Sequence, residues 1–111
     1  MDNIKDDHYY LSRIIFDMQF INKHMRNTSP DKFNKNEVLQ DSMMFRLIQI
    51  SENAKRLSEQ YKSGYCDVPW NDIYGLRNRI VHEYGHVDLK IIYETLVNDI
   101  PEVLQLLNSK E

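Results

Sequence analysis

Residues 75–84, Gly-Leu-Arg-Asn-Arg-Ile-Val-His-Glu-Tyr, hold the side chains of this chain that are best suited to chemistry. On a helix turning roughly 100° per residue, Asn78 and His82 fall nearly on one face and Arg77 sits to the side. Arginine is long enough to swing its guanidinium towards the imidazole, so a cation and a titratable ring share one pocket. These residue types fit metal-independent cleavage of RNA. The ribose 2′-OH attacks the adjacent phosphorus, and negative charge builds on the non-bridging oxygens. An arginine fork holds that charge, and histidine moves protons near neutral pH. Asn78 orients the imidazole or the phosphate. The protein supplies no nucleophile, because the substrate brings its own.

The neighbouring polar residues are weaker candidates. Arg79 either faces solvent or touches substrate, with nothing in the spacing to decide. His86 reads as a loop residue or a peripheral substrate contact. Paired with His82 it makes a poor metal site, because no cysteine or well-placed carboxylate completes a ligand set. The single Cys66 cannot form a disulfide within the chain. No metal or cofactor is therefore expected. His8, His24 and Glu83 read as solvated helix residues. Trp70 and the tyrosines outside the motif read as packing residues with polar tips.

Apolar periodicity predicts the helices that must carry this segment. A first helix spans about 4–26, with Leu11, Ile14, Met18, Ile21 and Met25 on one face, and Asn27-Thr28-Ser29-Pro30 stops it. A second spans about 35–61, with Met44, Leu47, Ile48, Ser51, Ala54 and Leu57 inward. Its extra apolar residues Met43, Phe45 and Ile50 make it apolar on more than one side, as suits a helix central to the bundle or buried against a second subunit. Pro69 opens a third helix with Asp67 as its cap. There Trp70, Ile73, Leu76, Ile80 and Val81 form the buried stripe, and Gly85 ends the helix in a left-handed conformation. Asp88 caps a fourth helix, which Pro101 bends or splits. The expected fold is an all-α, four- to five-helix up-and-down bundle.

Composition sets the outer bounds. A chain of 111 residues with 41% hydrophobic content has room for a single domain, 1–111, and one core. Three glycines and three prolines favour few, long helices over a many-turned β protein. The polar start, MDNIKDDHYY, is unlike a secretory signal, and no apolar run reaches the roughly 20 residues that cross a bilayer. A cytoplasmic protein without membrane contact is expected. The net charge of −3 argues against a protein that coats nucleic acid by long-range attraction. It leaves room for a local cationic site that acts on one.

The run Arg77-x-x-x-x-His82-x-Tyr84 resembles the RX4HXY signature of HepT-type toxins, a branch of the HEPN superfamily. Asp41-Ser42, the helix end 51–57, Val68-Pro69-Trp70 and Val87-Asp88-Leu89 resemble further landmarks of that family in the same order, over roughly 4–107. One departure stands out: Ser51-Glu52 occupies the place of a frequent Ile-Gly pair, which is expected to alter local packing and leave the active-site assignment alone. The resemblance implies a homodimeric, metal-independent endoribonuclease, the toxin of a type VII-like toxin–antitoxin system. Arg77 and His82 would be catalytic, Asn78 and Arg79 supporting, and two motifs would face each other across the twofold axis. It further implies a cognate minimal nucleotidyltransferase antitoxin of the MntA type, which transfers AMP from ATP onto Tyr84.

A second reading makes the chain a non-catalytic HEPN subunit that only supports a nucleotidyltransferase. Relatives of that kind tend to lack the intact Arg/His pair, and this chain retains it. The fold does not discriminate, because the same bundle hosts both.

Overall fold

The computed structural model describes residues 6–109, and every regular element among them is helical. Helix α1, Asp7–Met25, starts where the Asp6 carboxylate accepts the Tyr9 N–H at 3.0 Å. The predicted start at Ile4 lies outside the described residues. The helix ends as predicted near Arg26, and Asn27 then takes a left-handed turn at φ 62°. Asparagine tolerates that region better than most side chains do. Ser29 and Pro30 do more than stop α1. They cap and open a short helix α2, Pro30–Asn34, whose Phe33 is fully buried.

Helix α3, Glu37–Lys55, is shorter than the predicted 35–61. Ser58 breaks the longer helix by capping a separate turn α4, Glu59–Ser63, through its bond from the Tyr61 N–H. The Asp7 carboxylate holds Ser58 in that role, accepting its N–H at 2.8 Å and its hydroxyl at 2.7 Å. This contact ties the start of α1 to the start of α4 across 51 residues.

Helix α5, Trp70–His82, follows Pro69, which stands at the cap position with no side-chain bond, so Asp67 is not the cap. The Trp70 indole donates to the Tyr65 carbonyl, and the Tyr74 hydroxyl donates to the Ala54 carbonyl at 3.4 Å, docking α5 beside the end of α3. The predicted buried stripe is only partly covered. Ile80 is buried, Trp70, Ile73 and Leu76 are half-buried, and Val81 is exposed. Gly85 sits in a 3-10 turn, Tyr84–His86, and no glycine has positive φ among the described residues. The helix end is reached without a left-handed residue.

Asp88 caps α6, Leu89–Glu94, as predicted, accepting the Lys90 N–H. Pro101 acts one turn upstream of itself. It has no N–H to offer the turn before it, and the backbone widens into a π-helical turn over Thr95–Asp99. Helix α7, Ile100–Ser109, then continues with Ile100, Val103, Leu104 and Leu107 buried. Helix α3 packs against both α1 and α5, and α1 packs against α7. The long elements are thus α1, α3, α5 and the α6–α7 run, in keeping with the expected bundle, with α2 and α4 as short additions. Among the described residues one carboxylate lies in the core: Asp17, fully buried and paired at 2.7 Å with Arg46 of α3.

Candidate active site

Because α5 buries little beyond Ile80, its motif stays at the surface. Asn78, Arg79 and His82 are exposed, and Arg77 is half-buried. Asn78 and His82 stand one helical turn apart, as the spacing requires. Arg77 does not turn to the imidazole. Its Nε lies 2.9 Å from Oε2 of Glu52 on α3, and its Nη1 donates to Asn78 Oδ1 at 3.2 Å. Nε and Oε2 are shielded from water and meet as an ion pair without the alignment of a hydrogen bond. An arginine held through Nε keeps the Nη nitrogens of its fork for other acceptors.

Glu52 adds a contact that the sequence did not point to. Its place in the chain marks a departure from the family pattern, yet it touches the arginine at the centre of the motif. His82 makes no side-chain hydrogen bond or ion pair among the described residues and presents its ring to solvent.

Tyr84 follows in the 3-10 turn with its ring about half exposed. Its hydroxyl is engaged, donating to Oδ1 of Asp41 on α3. That bond to a carboxylate, then burial, then the charges of Asp41 and Glu37, push the phenol up to about 12. Helix α3 therefore grips the motif twice, through Glu52 on Arg77 and through Asp41 on Tyr84. The two carboxylates are eleven residues apart, close to three turns, so they share one face of α3. That spacing is the signal by which sequence could have found them; nothing local marks either as a partner of α5.

Arg79 points elsewhere. It lines a groove of about 560 Å³ between α5 and the α6–α7 run, with Leu76, Thr95, Asp99 and Val103. Burial, then the neighbouring charges of Glu102, Asp72 and Glu94, raise the Asp99 carboxyl there. His86 and Cys66 are exposed.

The arrangement can bind an anion at the Arg77 fork and place a solvent-facing imidazole about a turn and a half along the same helix. The family model described as Ribonuclease HepT-like matches residues 14–109. A provisionally named RNase of Caldanaerobacter subterraneus subsp. tengcongensis is 33% identical over 94 residues, 85% of this chain and 84% of that protein. A provisionally named RNase of Methanocaldococcus jannaschii is 29% identical over 97 residues, 87% of this chain and 80% of that protein. A probable ribonuclease HepT of Thermococcus cleftensis is 24% identical over 94 residues, 85% of this chain and 86% of that protein. No solved structure matches the chain at a significant level. With the family pattern running through nearly all the described helices, and the Arg77–His82 motif standing open on α5, the chain belongs to the HepT-like ribonuclease family.

Proposed function

We propose that the chain is a metal-independent endoribonuclease and the toxin of a toxin–antitoxin pair, working as a homodimer. The observation that carries this reading is the Arg77 fork, fixed from behind by Glu52, beside Asn78, which stands one turn from an exposed His82. The 2′-oxygen attacks phosphorus and the P–O5′ bond breaks. The 2′-OH proton leaves to a base, and O5′ takes a proton from an acid. Arg77 neutralises the charge that grows on the non-bridging oxygens. Two motifs facing across a twofold axis supply two imidazoles, one for each proton transfer. Support for the twofold comes from apolar side chains left uncovered around the site: Val38 (80% exposed) and Phe45 (53%) on α3, with Val81 and Tyr84 beside the motif.

Tyr84 is the proposed off switch, modified by a nucleotidyltransferase antitoxin. Its phenol oxygen attacks the α-phosphorus of ATP, pyrophosphate leaves, and the phenolic proton passes to a base. The attached AMP brings a phosphodiester charge and a nucleoside next to the motif, competing with substrate phosphate for Arg77. Co-expression with a nucleotidyltransferase encoded beside this chain, followed by intact-mass spectrometry, tests the switch. Addition of AMP mapping to residues 79–90, and its absence in Tyr84→Phe, are expected. Neutralisation with unchanged mass contradicts the covalent switch.

A further inference from the structure

The outer face of α1 has a composition that the catalytic motif does not account for. Tyr9, Arg13, Phe16, Phe20 and His24 follow one another at spacings of four, three, four and four residues. They form one stripe, roughly 22 Å long at the helical rise, facing away from the buried Leu11, Ile14, Met18 and Ile21.

The stripe is a built surface. The Phe16 ring, half exposed, lies 5.9 Å from the Arg13 guanidinium and 5.8 Å from that of Arg46. Arg46 stacks over Phe20 at 3.8 Å, and the Phe20 ring lies 4.2 Å from the His24 ring. The buried carboxylate of Asp17 fixes Arg46 in that position. Asp17 is also the sole acidic residue between Tyr9 and His24, and Arg46 cancels its charge. The exposed Arg13 and Lys23 thus leave the stripe cationic on a chain whose net charge is −3.

We propose that this stripe is a subsite for single-stranded RNA, with unpaired bases stacking on Phe16 and Arg13 and Lys23 taking phosphates. Aromatic faces spaced along a cationic track are what an unpaired strand binds without regard to sequence. A duplex hides its base faces and offers nothing to stack. Charge favours a strand over a second copy: Arg13 and Lys23 are exposed and the Asp17 carboxylate is already paired, so the stripe complements a polyanion. The proposal rests on RNA being the substrate.

A fluorescein-labelled RNA 12-mer carrying 2′-O-methyl at every position cannot supply the attacking hydroxyl, so anisotropy reads binding alone. Phe16→Ala should weaken binding about 5- to 150-fold, the range of one base stack, and Phe16→Tyr should retain it. Arg13→Gln and Lys23→Gln should each flatten the plot of log affinity against log salt by about 0.7. The same strand annealed to its complement should compete poorly. Equal binding by wild type and Phe16→Ala overturns the stripe and leaves RNA as the substrate. No binding by wild type contradicts the RNA reading itself. Each variant is checked by circular dichroism and light scattering. A change of mass in Phe16→Ala assigns the face to protein contact and overturns the proposal.

Discussion

Replacing Glu52 by glutamine probes the contact that sequence left outside the site. At 2.9 Å, two unit charges attract by about 6 kcal/mol gross at an effective dielectric constant near 20. Desolvation and side-chain ordering remove most of that. The pair sits between two regimes, with side chains 26% and 38% exposed but shielded contact atoms. Its coupling should therefore be about 1 kcal/mol, above a typical surface pair and below the 3–5 kcal/mol lost on breaking a buried one. A double-mutant cycle of Glu52→Gln and Arg77→Gln, followed by urea unfolding at fixed protein concentration, measures it. Catalysis should suffer more specifically. A guanidinium freed from Glu52 still carries its charge but samples other rotamers. Single-turnover cleavage should fall about tenfold, equivalent to ~1.4 kcal/mol, with binding of uncleavable RNA changed less. Unchanged cleavage in Glu52→Gln would show that the ion pair does not align Arg77, and faster cleavage that it masks the fork.

Other outcomes follow from single contacts. Ultraviolet titration of wild type against Tyr84→Phe should find the Tyr84 phenol ionising near pH 12, and Asp41→Asn should return it towards 10. Because the folded phenol is raised, whatever stability the Asp41 bond contributes is fully present below pH 10 and lost as pH rises through 12. Ile80→Ala removes a fully buried side chain and should cost about 2–5 kcal/mol in urea unfolding. Val81→Ser, next to it but exposed, should shift the light-scattering mass from dimer towards monomer, and an unchanged dimer mass takes Val81 out of the twofold.

The parts of the fold legible in the sequence were those governed by local periodicity and capping. The buried face of α1, the Asp88 cap and the disturbance at Pro101 all depend on residues a turn or two apart. The end of α3 was not legible, because Ser58 caps α4 with help from Asp7, a partner far away in the chain. Gly85 illustrates a different failure. Glycine permits a left-handed helix end without requiring it, and the chain leaves α5 through a 3-10 turn instead. At the site, the Asn78–His82 spacing follows from α5 alone. The partners of Arg77 and Tyr84 come from α3, and only the packing of the two helices reveals Glu52 and Asp41.

The proposed reaction is decided by cleavage of a labelled single-stranded RNA by the purified protein, with its product ends identified by mass spectrometry. Wild type should cut in the presence of EDTA and leave 2′,3′-cyclic phosphate and 5′-hydroxyl ends. His82→Ala, at an exposed position with little packing to lose, should remain folded and fail to cut. Arg77→Lys should recover little, because a point charge cannot replace the planar fork. Full cleavage by His82→Ala, or cleavage that requires added Mg²⁺, would contradict the account.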